Sequence, residues 1–357
     1  MNLNDKNLYK KFDTGQAARS IELLPDQIRQ VLGEARLIKV PREYSEITNI
    51  VINGMGGSNL GARIIKSAWA DQIKVPIAVT PGYEIPAYVD KNTLYIISSY
   101  SGTTEEPLSV YQKVKKRGAK ILAITEDGAK NKLKKLMLKN DIPGYIFKPE
   151  FNPSGQPRLA LGYSIFGMAT LLAKTGLFSI NVKQIKNIIA VMEIENQRLA
   201  TTAKTTINAA KKIAQELSGK IPILIGAEFI VGNLHAMRNQ INECSKNFAD
   251  YLEIPDLNHY TMEGLIHPPS NKNNLMFLFF DSKYYSPRVQ KRMLLTETIV
   301  NKNSIKTFKH ELKGSDKLTQ VFIFLQLGAW ISYYLGILNQ VDPIKIPWVN
   351  WFKKQLK

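Results

Sequence analysis

GMGGSNLG, residues 54–61, stands between the apolar run Ile50-Val51-Ile52 and a helical pattern carried by Leu60, Ile64, Ile65, Ala68 and Trp69. A β-branched run, a glycine turn and an amphipathic helix in that order form a strand–turn–helix unit. Glycines let the backbone approach a ligand closely, and the free N–H groups at the helix start favour an anion. A phosphate, a sugar or a dinucleotide would each fit. The dinucleotide fingerprint asks for a third glycine at position 59, where Asn59 stands, and for an acidic residue about 20 positions on. The run 75–79 ends instead in Thr80-Pro81-Gly82. A Rossmann cofactor site is therefore disfavoured, and a purely structural tight turn is the competing reading.

A second loop changes those odds. SSYSGTTEE, residues 98–106, follows the apolar run 93–97 and precedes a helical pattern over 105–117. Its hydroxyl groups, on Ser98, Ser99, Ser101, Thr103 and Thr104, could converge with unpaired N–H groups on an anion rich in acceptor oxygens. The plainer alternative is that they cap a helix.

Working outward, strand signals at 48–53, 75–79, 93–98, 119–124 and 144–148 alternate with helical patterns at 58–70, 105–117 and 129–139. This is the rhythm of a doubly wound parallel sheet. A helical stretch follows near 158–176 and 181–217. A second α/β series then begins: strand 221–225, a helix of about 20 residues by its apolar periodicity, strands at 250–254, 275–280 and 305–309, and helices at 285–300 and 317–339. In such sheets ligands bind beyond the carboxyl ends of the strands, where both loops lie.

At 357 residues the chain has room for two domains, expected at 1–178 with the phosphate-binding loops and at 179–357. Hydrophobic content of 44% and charged content of 22% are those of a folded globular protein. Met1 to Phe12 is polar and Lys-rich, without the order of a signal peptide. The lone Cys244 leaves no internal disulfide, which suits a cytoplasmic location. The uncharged stretch Leu318 to Val341 is long enough to span a bilayer, but Thr319, Gln320, Gln326, Ser332, Asn339 and Gln340 interrupt it, so a core helix and no membrane partner are expected. Net charge of +18 raises nucleic acid as a partner, yet the lysines are scattered and no recognition motif accompanies them. The positive field would instead attract a phosphorylated substrate.

The two loops, together with FNPSGQPRLALGYS (151–164), NQINECSK (239–246), LEIPDLNHYTMEG (252–264) and LNQVDPIKIP (338–347), resemble the bifunctional phosphoglucose/phosphomannose isomerases over nearly the whole chain. The resemblance implies an α/β fold of two flavodoxin-like SIS (sugar isomerase) domains, each a parallel sheet flanked by helices. It further implies a cytoplasmic homodimer with active sites at the subunit interface, and no cofactor. The phosphate loop falls on Ser99, Ser101, Thr103 and Thr104, and the glycine turn on Gly56, Gly57 and Ser58. The active-site arginine falls on Arg158, the catalytic glutamate on Glu243 and the ring-opening histidine on His259.

On that reading the chain interconverts glucose 6-phosphate, and mannose 6-phosphate, with fructose 6-phosphate through an enediol. Glu243 moves the proton between C1 and C2, Arg158 stabilises the enediolate and His259 shuttles the ring-opening proton. No metal is needed, and the histidines lack the spacing of a zinc site, which argues against a cupin-type mannose-phosphate isomerase. The alternatives are a sugar-phosphate-binding SIS sensor without catalysis, and an isomerase like that of glucosamine-6-phosphate synthase, whose Lys-rich catalytic tail differs from VDPIKIPWVNWFKKQLK. The ordinary readings of these residues are a solvated helix glutamate, a hydrogen-bonded structural histidine and a surface arginine. Three departures from the family pattern bear on ring opening and sugar preference: Pro81-Gly82 where relatives often carry a basic residue and an Asp, Thr103 where Asn is usual, and Tyr334 where some relatives supply a lysine.

Overall fold

In the computed structural model, which describes residues 1–356, the chain groups into two units. The first is residues 23–191, and the second combines residues 1–22 with 192–357. The division falls inside the helix Val182–Leu199.

The first unit is built on a parallel sheet of β1 (Asn49–Gly54), β2 (Ile77–Val79), β3 (Thr93–Ser98), β4 (Lys120–Glu126) and β5 (Gly144–Phe147), in the order β2-β1-β3-β4-β5. Both faces are covered, so β1 and β3 are apolar almost throughout and buried at nearly every position. One face packs Val51, Tyr95, Ile97 and Ala123 against Val110, Val114, Leu133 and Met137. On the other face the helix Leu161–Lys174, apolar on nearly all sides, fills the core, and Gly167 brings it against Ile124 and Tyr145. The chain leaves β1 to one side for β2 and to the other for β3, so the topological switch point lies between β1 and β3. Register sets Gly54 opposite Ser98, and the glycine turn and the hydroxyl loop leave the sheet side by side.

The second unit repeats this wiring with β6 (Ile221–Ala227), β7 (Asp250–Ile254), β8 (Leu275–Asp281) and β9 (Lys306–Glu311), all parallel and ordered β7-β6-β8-β9. The helix Lys317–Leu338 passes the length and hydropathy test for a membrane span, but 94% of its most apolar window is buried inside the protein. It is the core helix expected from its polar interruptions. The helix Lys6–Phe12 belongs to this unit: Tyr9 stacks on Tyr333 at 6.1 Å and meets Tyr334 edge-on at 6.2 Å. Asn196 holds the same corner, donating to the Glu22 carbonyl at 2.7 Å and accepting from the Trp330 indole at 3.0 Å.

Several elements differ from the sequence expectation. The helix 105–117 is two short pieces, Glu105–Ser109 and Tyr111–Lys116. The stretch 181–217 is broken between Leu199 and Ala209, where the Asn208 side chain accepts from Lys211 N–H and starts a new helix. The helices Leu24–Glu34 and Pro347–Gln355 had no counterpart in the sequence reading.

Candidate active site

In the first unit the two turns meet at Ser58. Gly56 has φ +50° and ψ −129°, a conformation that only glycine adopts freely, and it swings the chain from β1 into the helix Gly57–Ala68. Ser98 Oγ donates to the Ser58 carbonyl at 2.8 Å, and Tyr100 N–H donates to Ser58 Oγ at 2.8 Å. Within the hydroxyl loop Ser99 Oγ donates to Thr104 Oγ1 at 3.1 Å, while the Ser101 and Thr103 hydroxyls lie 3.1 Å apart. Thr104 occupies the N-cap position of Glu105–Ser109 but makes no side-chain cap bond, so helix capping does not account for its hydroxyl, while Ser101 Oγ accepts from Thr103 N–H at 3.4 Å. Glu105 and Glu106 fill the first turn of that helix and offset its dipole. An anion placed there would meet hydroxyl and N–H donors rather than a favourable helix dipole. Ser99 is fully buried, Ser101 and Thr104 partly so, and Thr103 is exposed.

Arg158 comes to the same place. It lies in the single 3-10 turn Pro157–Leu159, is buried to 2% exposure, and donates from Nη1 to Gln156 Oε1 at 2.8 Å. A Cβ on Gly57 would fall 2.8 Å from the Pro157 carbonyl carbon and 2.9 Å from Arg158 N, so the glycine turn and the arginine loop touch backbone to backbone. A small cleft between them is lined by Gly57, Ser58, Ser98, Tyr100, Pro157 and Ser164. Asn152 ties the loops together, its Nδ2 donating to Tyr100 Oη at 2.9 Å and to the Gln156 carbonyl at 3.2 Å. Burial pushes the Tyr100 hydroxyl well above its ordinary pKa, so it stays neutral. The amides Asn152 and Gln156 sit in the segment FNPSGQPR, but their sequence spacing gives no sign of these partners.

In the second unit Glu243 is half-buried in a π-helical turn, Ile241–Ser245, that ends the helix Val231–Gln240. Such turns widen the helix by one residue and are frequent at functional sites. The turn is pinned on both sides. Asn242 Nδ2 donates to the Arg238 and Ala249 carbonyls at 2.9 and 3.0 Å, and Ser245 Oγ donates to the Ser332 carbonyl at 2.7 Å. Cys244 is buried at 2% exposure, as expected of a packed thiol.

His259 is exposed at the end of the 3-10 turn Asp256–His259, which follows β7. Leu257 anchors that turn in the core, and Asn258 fixes it by donating to Thr296 Oγ1 at 2.8 Å and accepting from Arg292 at 3.1 Å. Glu243 thus lies before the first residue of β7 and His259 beyond its last, at opposite ends of the strand. The five residues of β7 lie between them in the chain.

Tyr334 is fully buried and donates to the Leu199 carbonyl at 2.6 Å, with its ring stacked on Trp330 at 5.4 Å. It is a core residue and does not supply a lysine's reach. The buried Lys211 lies over its ring and donates to the Thr201 and Ala203 carbonyls at 2.9 and 2.7 Å, and burial lowers its pKa to about 8. Among the described residues no group of three or more His, Cys, Asp or Glu side chains is placed to hold a metal ion.

Two parallel sheets of flavodoxin-like order, with glycine and hydroxyl turns at a switch point, define a protein of two SIS domains. Residues 43–135 match the SIS domain family, and residues 206–356 match the bacterial phospho-glucose isomerase C-terminal SIS domain. The bifunctional phosphoglucose/phosphomannose isomerase of Caldicellulosiruptor bescii is 33% identical over 347 residues, covering 94% of this chain and 98% of that protein. The protein of the same name from Thermoplasma acidophilum is 29% identical over 309 residues, 87% of this chain and 90% of that one. Among solved structures, a hypothetical protein from Thermus thermophilus matches with a TM-score of 0.75 at 15% identity, over 98% of this chain and 92% of that chain. The C-terminal domain of a glucosamine-fructose-6-phosphate aminotransferase from Francisella tularensis matches with a TM-score of 0.67 at 15% identity, over 92% and 96%. These two likenesses concern the fold. The chain belongs to the bifunctional phosphoglucose/phosphomannose isomerase family and is an isomerase.

Proposed function

We propose that this isomerase interconverts glucose 6-phosphate and mannose 6-phosphate with fructose 6-phosphate through an enediol. The observation that carries the reading is the meeting of two turns and a buried arginine at the switch point of the first sheet. N–H groups at the start of Gly57–Ala68, with Ser58, Ser99, Ser101, Thr103 and Thr104, take the phosphate, and Arg158, whose backbone abuts the glycine turn, meets the reacting end of an open-chain sugar. The names of the curated relatives support the same substrates.

The carboxylate of Glu243 removes the proton from C2 of the aldose, the C2–H electron pair becomes the C1–C2 double bond as the carbonyl pair moves onto O1, the O2 hydroxyl proton passes to O1, and the same carboxyl returns its proton to C1 as the C2 carbonyl forms. C1 is reduced and C2 oxidised within one molecule, so the electrons balance without a partner. Arg158 opposes the negative charge that builds on the enediolate without giving up its own proton. The planar C2 accepts a proton on either face in the return direction, which yields both glucose and mannose epimers. His259 carries the proton of ring opening.

The protein works as a homodimer with its sites shared between copies. Two observations support this: Glu243 and His259 lie at opposite ends of β7, and the helix Pro347–Gln355 exposes Trp348, Trp351 and Phe352 at 79%, 57% and 57%. The single buried Cys244 fits a reducing compartment such as the cytoplasm. The reading is tested with Glu243→Gln. Isomerisation should fall by roughly a thousandfold or more while phosphosugar binding, measured by calorimetry, persists. Activity within tenfold of the parent would remove Glu243 from the mechanism.

A further inference from the structure

We propose that Gln27 is a positioning residue for Arg158, and this rests on the enediolate role given to that arginine above. Gln27 lies in the helix Leu24–Glu34, far from every motif in the sequence, and is fully buried. Its Nε2 donates to the Phe151 carbonyl at 3.1 Å and to the Leu159 carbonyl at 2.9 Å. Its Oε1 accepts from Gly162 N–H at 3.1 Å. One amide therefore grips the chain on both sides of Arg158, at the entrance of the loop, at its exit and at the first turn of the following helix.

The approach is close. A Cβ on Gly162 would lie 2.6 Å from Gln27 Cβ and 3.0 Å from Oε1. A glutamine side chain is the right chemistry for the task, since it offers two donors and an acceptor in one plane and carries no charge to desolvate. Removing it leaves two carbonyls and one N–H without their buried partner, and the loop relaxes toward other partners. The bonds inside the two turns, from Ser98 and Tyr100 N–H to Ser58 and from Ser99 to Thr104, do not include Gln27, and the arginine loop meets them through Asn152 on Tyr100 Oη and through the Gly57 contact.

The test is a double-mutant cycle on the purified protein, with fructose 6-phosphate as substrate and inorganic phosphate as competitor. Gln27→Met, close in shape and without the amide, should lower kcat at least tenfold in the parent while KM and the inhibition constant of phosphate stay within twofold. On an Arg158→Gln background it should lower kcat less than twofold, because residues that act through one another are not additive. Should Gln27→Met not accumulate as folded protein, the same cycle is read with Gln27→Asn, which keeps the amide but draws it back by one methylene. A kcat loss of equal factor in both backgrounds, or a parental kcat with a lowered Tm, overturns the assignment and leaves Gln27 a stabilising contact. Parent-like kcat in Arg158→Gln alone would instead overturn the role of Arg158, and the proposal with it.

Discussion

Gly57 is where the demands on this site meet, because its missing Cβ gives the Arg158 loop its seat against the glycine turn. Gly57→Ala would drive a methyl group into backbone at 2.8–2.9 Å, where no flexible side chain can yield. Displacement of the arginine loop is then expected to lower kcat/KM by roughly 10- to 100-fold, read by steady-state kinetics on fructose 6-phosphate. Gly57 was legible in the sequence for a physical reason. A strand that ends in glycines and re-enters as a helix constrains the backbone whatever surrounds it. Ser99 and Thr104 were legible as a group, though not their mutual hydrogen bond in place of a cap. Gln27, Asn152 and Gln156 were not legible as partners, since an amide's role is set by neighbours that only the fold supplies. The resemblance assigned Glu243 and His259, but the placement of one before and the other after β7 became visible only with the strand order.

At the scale of elements, the parallel strands were read well because two covered faces make each one an apolar run. Helix continuity was read less well. The stretch 181–217 kept its apolar periodicity up to the break, yet Asn208 and the backbone at 200–208 end one helix and begin another. The π turn at Ile241–Ser245 has no sequence signature either, because its extra residue is stabilised by bonds to Arg238, Ala249 and Ser332 from outside the turn. Strand β9 carries a prediction of its own. His310, packed edge-on to Phe280 at 6.2 Å, has its pKa lowered to about 4, first by burial and then by the Lys313 charge. As pH falls from the ordinary histidine value of about 6.5 toward 4, the unfolded chain takes up a proton that the folded one refuses, and stability is lost. His310→Phe should remove on the order of 2 kcal/mol of that acid sensitivity, measured by urea denaturation at pH 4 and pH 7.

For the whole molecule, the position of Glu243 and His259 at opposite ends of β7 makes the assembly testable by mixing. Glu243→Gln and His259→Ala should each be inactive alone. Co-refolded in equal amounts, they should recover about a quarter of the parental activity, because half of randomly paired dimers carry one intact site of two. No recovery, with dimers present by sedimentation, would place both residues in one copy's site or in none. A separate consequence attaches to the first 22 residues, which complete the second unit through Tyr9 and its stacked partners near the far end of the chain. During synthesis the intervening unit leaves the ribosome whole and is free to fold, while the leading segment waits on the order of tens of seconds for the helix that receives it. Lys6, Lys10 and Lys11 stand on that segment, in the short helix that carries Tyr9.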